Sequence, residues 1–253
     1  GIITNVLGAD GFAIRSGNGD DHVVNTGAVI GSVDLGTGIN AFDNTPGAMF
    51  LPGVTVNLGV GNRLTNAGVL LPGGWQNVMT SSVTGNFTQT ADGYYGVDLD
   101  LGVAAVDRLN VSGTADVAGR LLVNLSNPAQ AAAAAKPGTH DLVIMSAAGG
   151  VTHGDLSFQA LHTGVLSQTL VYPNSTDIAL RYRVDYGSPG LTNANQRAIA
   201  DAFNAIQGGQ TSPAFAPLAA ALFFQPDAAA LGAAYDALSG ASTSGTQQLA
   251  FAA

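Results

Sequence analysis

Apolar residues in the first third of the chain fall in short clusters, not at helical spacing. Ala28-Val29-Ile30, Ala48-Met49-Phe50-Leu51 and Val69-Leu70-Leu71 each follow a polar corner. Those corners are Asn25-Thr26-Gly27, Asn44-Thr45-Pro46-Gly47 and Asn66-Ala67-Gly68. A Gly-x-Gly opens each unit, at Gly17, Gly36 and Gly59, so the leading glycines lie 19 and 23 residues apart. The asparagines lie 19 and 22 apart. Val33-Asp34-Leu35 and Val56-Asn57-Leu58, before two of the Gly-x-Gly units, read as short strands. A repeat near 20 residues built from short strands is one coil of a β-solenoid, which buries its apolar side chains only when stacked on its neighbours. Asn at equivalent corners predicts an amide ladder, and Gly supplies the positive φ that corners need.

From about Gly85 the pattern becomes alternating. Tyr95, Val97, Leu99 and Leu101 alternate with Gly96, Asp98 and Asp100; Leu109 and Val111, then Leu121, Val123 and Leu125, continue it. Ile178, Leu180, Tyr182, Val184 and Tyr186 alternate with Ala179, Arg181, Arg183 and Asp185. Period two predicts strands with one buried and one wet face. The run Ala131 to Ala135, closed by Pro137-Gly138, is a short helical or irregular insertion. Gly187, Pro189 and Gly190 mark a switch to helix. Thr192 is the expected N-cap, with Ala198, Ile199, Ala202, Phe203 and Ile206 as the apolar face and Gly208-Gly209 as the stop. Ser212-Pro213 and Pro226 are expected to start two further helices, the last carrying Leu231, Tyr235 and Leu238 on one face before Gly240.

Composition narrows the class. Of 253 residues only 10% are charged and 34 are Gly, against roughly 25% and 7% in ordinary domains. All 17 acidic residues are Asp, and Lys136 is the one lysine. Absent Glu and scarce Lys exclude a helical bundle or coiled coil. A hydrophobic fraction of 46% argues against disorder. No basic cluster offers a nucleic-acid surface, and zero Cys excludes a disulfide scaffold. No run reaches the ~18 apolar residues of a membrane helix. Gly1-Ile2-Ile3-Thr4 reads as mid-strand and Leu249-Ala250-Phe251-Ala252-Ala253 as an uncapped apolar end. Together they suggest a fragment of a longer protein.

The stretch Gly85-Asn86-Phe87-Thr88-Gln89-Thr90-Ala91-Asp92-Gly93-Tyr94-Tyr95, then Val97-Asp98-Leu99, is similar to the C-terminal passenger region of bacterial autotransporters (type V secretion). Asp107-Arg108-Leu109-Asn110-Val111-Ser112-Gly113, Ala115 and Gly119-Arg120-Leu121 resemble the pertactin-like autochaperone segment of that family. Gly190-Leu191-Thr192-Asn193 with Asn195-Gln196 resembles the linker before the translocator, and Leu238-Ser239-Gly240 with Gln247-Gln248 the lead-in to its barrel. Ala241 departs from the pattern, which carries Glu after that Ser-Gly. The resemblance implies a mainly β chain, a right-handed parallel β-helix (β-solenoid) with a short C-terminal α-helical linker. The coils would occupy 1–84, an autochaperone-like end 85–187, and the linker 188–253, leading to an absent barrel. It implies a non-enzymatic role in folding and surface display of the passenger at the outer membrane of a Gram-negative bacterium. The implied partners are the chain's own translocator barrel and host surface or matrix; no nucleic acid and no cofactor are expected. Absence of cysteine suits export through an oxidising compartment.

No catalytic, cofactor or metal residue is assigned. Gly17-x-Gly19-x-Asp21-x-Val23 matches most of a calcium nonapeptide, but the aligned positions carry Asn40 and Arg63, and an arginine repels calcium. Asp98 and Asp100 share a strand face about 7 Å apart, a separation compatible with an inverting glycosidase pair. With no aromatic platform nearby they read as a solvated face, leaving a carbohydrate-active β-helix enzyme, or an adhesin stalk, as the alternatives. His22, His140, His153 and His162 lack metal-ligand spacing; His153 and His162 are expected on separate strands. Trp75 is expected to cover the core where the repeat changes. The apolar stretch Pro213 to Phe224 is expected to pack on its neighbours, not on a membrane.

Overall fold

The computed structural model describes residues 3–4, 11–209 and 214–240. The chain is mainly β and divides into two compact units. One comprises Gly1–Ser126, Asp141–Ala160 and Thr169–Arg181; the other comprises Asn127–His140, Leu161–Gln168 and Tyr182–Ala253.

In the first unit the chain returns to the same sheets again and again. A six-stranded sheet takes, in order, Val151–Thr152, Ala115–Val117, Asn86–Gln89, Arg63–Asn66, Ala41–Asn44 and His22–Asn25, every pair parallel. The pairing runs through Gly85 without a break, since Asn86 to Gln89 lie against Arg63 to Asn66. The second sheet is fourteen-stranded and mixed: Ala28–Asp34 lies parallel to Met49–Asn57, whereas Tyr94–Asp100 meets Ala105–Val106 antiparallel. The apolar cluster at Ala28 and the predicted strand at Val33 are one strand, with a register shift between Gly31 and Val33.

Register places like on like. Val29, Phe50, Leu70, Tyr95 and Leu121 face one another across five strands, and all are buried. Phe42, Leu64, Phe87 and Ala115 form the matching row of the smaller sheet. Phe42 and Phe50 stack with centroids 4.6 Å apart, joining the two sheets. Burial of such side chains, at roughly 1.5–3 kcal/mol each, is the main force holding the rungs together.

The asparagine ladder forms and is longer than its sequence signal. Asn25 Nδ2 donates to Asn44 Oδ1 at 2.8 Å, and Asn44 Nδ2 to Asn66 Oδ1 at 2.8 Å. Asn66 Nδ2 then donates to Gln89 Oε1 at 3.1 Å, and Gln89 Nε2 to the Ala118 carbonyl at 2.7 Å. Each asparagine also donates to a main-chain carbonyl, those of Met49, Val69 and Tyr94. The corner glycines are sterically required. A Cβ on Gly36 would lie 1.9 Å from the Gly17 oxygen, and one on Gly38 1.9 Å from the Gly19 oxygen.

Three expectations about the strands and Trp75 need correction. Tyr94–Asp100 is buried on both faces, Asp98 included: the Asp98 carboxylate accepts from Asn77 N and Asn124 Nδ2 instead of facing solvent. Val123 is only half-buried, whereas Val97, Leu99, Leu109, Val111 and Leu121 are fully buried. Trp75 is 56% exposed and covers no core.

The second unit carries four helices among the described residues: α1 (Pro128–Ala134), α2 (Ala194–Gly208), α3 (Ala216–Phe223) and α4 (Ala228–Leu238). The cap of α2 is Asn193, not Thr192. Its side chain accepts from Gln196 N in a reciprocal capping box. The buried face of α2 is Gln196, Ala200, Phe203 and Gln207, while Ile206 stays 39% exposed. The face is rotated because both glutamines have inward partners: Gln196 Nε2 reaches Asp236 Oδ2 and the Gly232 carbonyl, and Gln207 Nε2 reaches the Ala133 carbonyl and Tyr186 Oη. Phe203 sits among Tyr186, Phe215 and Tyr235. Pro226 precedes the α4 cap, Asp227, instead of starting the helix. Leu231 and Tyr235 are buried as expected, but Leu238 is 47% exposed. The Ser212-Pro213 start lies outside the described residues.

Breaking the ladder at its centre gives a direct test. Asn44→Ala strips Asn25 Nδ2 of its side-chain acceptor and Asn66 Oδ1 of its donor. The expected loss is about 2–4 kcal/mol, read as a lower urea midpoint, whereas Val24→Thr, at a side chain 51% exposed, should change stability by less than about 0.5 kcal/mol.

Candidate functional site

A buried polar cluster of the first unit surrounds two carboxylates from the alternating segment. Asp98 lies on the Tyr94–Asp100 strand, and Asp107 just past the return that pairs with it. Both are fully buried. Asp98 Oδ2 accepts from Asn77 N at 3.0 Å and Oδ1 from Asn124 Nδ2 at 2.6 Å. Asp107 Oδ1 accepts from Met79 N at 2.6 Å and Oδ2 from Asp98 N at 2.8 Å. Burial pushes the Asp107 carboxyl up to about 7, the two main-chain donors oppose that shift, and the Asp98 charge adds to it. Tyr95 is raised well above its ordinary range, first by burial and then by Asp107. Its hydroxyl donates to the Ile144 carbonyl at 2.6 Å.

All four carboxylate oxygens are therefore engaged by the protein itself. Asp100, two residues on, accepts at Oδ1 from Gly102 N in the adjoining turn. The strand does place Asp98 and Asp100 on one side, but they serve separate structural ends. The cluster ties the segment Asn77 to Met79 to two successive strands, so its chemistry is that of a clasp. Asp107, Asn77 and Gln89 were not singled out from the sequence as site residues. The Asp107-x-Leu109-x-Val111 alternation was the available signal, since it puts Asp107 on the inward side.

The remaining candidates separate. Asn40, aligned with Asp21, is buried and structural: Oδ1 accepts from Asp21 N at 2.9 Å and Nδ2 donates to the Leu58 carbonyl at 3.0 Å. Arg63 turns outward to Thr65 Oγ1. Among the described residues no group of three or more His, Asp or Glu could hold a metal ion. His22 pairs with Asp43 Oδ2 at 2.7 Å, and His140 stacks on Tyr182. His153 stacks on Tyr172 with centroids 3.7 Å apart. His153 and His162 stand in loops, not on strands. No described helix is long and apolar enough to cross a membrane. A scan against models of known protein families and a search of curated proteins each matched nothing.

The raised carboxyl makes stability depend on pH with a definite sign. Asp107 holds a proton in the folded chain over a range where the unfolded chain has lost it, so stability falls as pH rises from about 4 to about 7. The change is on the order of 4 kcal/mol at most. Asp43, Asp141 and Asp177 have depressed values, so their contributions disappear only as pH falls below the ordinary carboxylate range. Urea midpoints between pH 4.5 and 7.5 should decline for the unaltered chain and stay flat for Asp107→Asn.

Proposed function

We propose that this chain is the C-terminal passenger region of an autotransporter, a right-handed parallel β-helix whose distal coils act as an autochaperone. Its role is structural and non-enzymatic: to fold first outside the cell and template the coils before it. Its partners are its own translocator barrel and host surface or matrix, and its place is the cell surface of a Gram-negative bacterium. The observation that carries the reading concerns the stretch resembling the autochaperone. Arg108–Val111 pairs in parallel register with Thr80–Thr84 on one side and, through Leu109 to Val111, with Met145 to Ala147 on the other. It is thus an interior rung, fixed on both edges, with Leu109 fully buried. Parallel steps of 19, 22, 23, 28 and 36 residues along the smaller sheet, the last containing the Pro128–Ala134 helix, fit successive coils. Main-chain donors and Asn124 already occupy the buried carboxylates, which favours a scaffold over a glycosidase.

The test is expression of the full-length gene product in a Gram-negative host. Leu109→Asp buries an unpaired charge at a cost of several kcal/mol. It should leave a membrane-inserted barrel while the passenger becomes protease-sensitive at the surface. Recovery of the unaltered protein in the cytoplasm, or a gene without an array of about ten-residue alternating barrel strands after this segment, would overturn the proposal.

A further inference from the structure

Four Asn-x-Ser/Thr triplets occur along the chain, none with Pro in the middle: Asn86-Phe87-Thr88, Asn110-Val111-Ser112, Asn124-Leu125-Ser126 and Asn174-Ser175-Thr176. In this pattern an asparagine amide nitrogen is the acceptor for a sugar, and the acceptor must stand on the surface. The structure sorts the four. The first three begin on strands, where a side chain two residues on stands about 7 Å away, and their asparagines are committed elsewhere. Asn86 Oδ1 accepts from Thr114 N at 2.9 Å while Nδ2 donates to the Gly61 carbonyl. Asn110 belongs to the rung paired on both edges, and its Oδ1 is closed to solvent. Asn124 Nδ2 donates to Asp98 Oδ1 at 2.6 Å.

Asn174-Ser175-Thr176 differs in each respect. It forms the tight turn between Leu166–Asn174 and Asp177–Val184, neighbouring strands of the larger sheet. Asn174 and Ser175 are exposed. The turn folds the third residue back on the first: Thr176 N and Thr176 Oγ1 both donate to Asn174 Oδ1 at 2.8 Å. Asn174 Nδ2 donates to Asp177 Oδ2 at 2.8 Å, which sets the direction of the amide and leaves its second N–H without a partner among the described residues. The main chain of the tip is anchored, because the Ser175 and Thr176 carbonyls accept from Val151 N and Ala147 N. Tyr172 lies two residues before Asn174, on the same side of the strand. Its ring stacks on His153, yet the residue stays 41% exposed, so it offers apolar surface beside the acceptor against which a sugar ring can pack.

We infer that Asn174 is a site of covalent sugar attachment, modified on the folded chain by a glycosyltransferase, with Thr176 as the positioning residue. Asn174 Nδ2 forms a bond to the anomeric carbon of a glycosyl diphosphate. The bond from that carbon to the diphosphate oxygen breaks, the diphosphate leaves with the electron pair, and one Nδ2 proton passes to a base of the transferase. The product keeps one N–H for Asp177 and an Oδ1 for both Thr176 donors, so the turn loses no hydrogen bond on modification. This goes beyond a role in display and does not depend on it.

The test is glycopeptide mapping by tandem mass spectrometry of the whole chain purified from the organism that makes it. Asn174 should carry sugar, and Asn86, Asn110 and Asn124 should be bare. A single monosaccharide would mark a nucleotide-linked donor, and an oligosaccharide transferred as one block a lipid-linked donor. In variants expressed in the same organism, Thr176→Ala should lower occupancy at least tenfold although Asn174 is still present and exposed. Thr176→Ser, which keeps the hydroxyl, should restore it, and Asn174→Gln should abolish it. A bare Asn174 in the native chain, sugar on the three strand asparagines, or undiminished occupancy in Thr176→Ala would overturn the inference. Recovery of a sugar-bearing chain from the cytoplasm would leave it standing while overturning the surface reading.

Discussion

Stacked parallel strands bring the chain's polar corners into the interior, and every such corner must be hydrogen-bonded there. The line of side-chain amides from Asn25 through Asn44 and Asn66 to Gln89 meets that demand. Each asparagine uses one amide to hold a neighbour and a carbonyl of the following strand. The ladder therefore fixes which residue lies over which. Once that register is set, Val29, Phe50, Leu70, Tyr95 and Leu121 are brought to one row without further specification. A slip of one residue would turn this row outward and orphan the amides together.

The second unit solves a similar problem with helices. Gln196 and Gln207 point inward from α2 where leucines would be the simpler choice. Each closes contacts made by main-chain groups of other segments. Buried amides thus specify geometry in both units, at sites where an apolar residue would give bulk without direction.

Much of this was legible in the residues. The Asn-x-Gly corners gave the ladder, and the apolar clusters gave the inward row. Gln89 escaped because its corner, Thr90-Ala91-Asp92-Gly93, has a longer loop than Asn-x-Gly. The expectation of a solvated Asp98 fails because alternation reports only one strand, and the groups that meet its carboxylate come from the distant Asn77 segment and Asn124. The α2 face was rotated because hydrophobic periodicity cannot anticipate a buried Gln whose partners lie elsewhere in sequence.

The ladder also has a sense. From Asn25 to Gln89 every amide donates toward the higher-numbered rung, and the last donates to the Ala118 carbonyl. The individual dipoles therefore align head to tail, and each link polarises the next, strengthening it by something like 10–30%. Such a line behaves as a single extended dipole running through the interior. Its two ends are chemically unlike, one anchored on a main-chain oxygen and the other presenting an amide oxygen that, among the described residues, Gly27 N engages. A stack of this kind is a vector, and rungs added at its two ends would meet different chemistry.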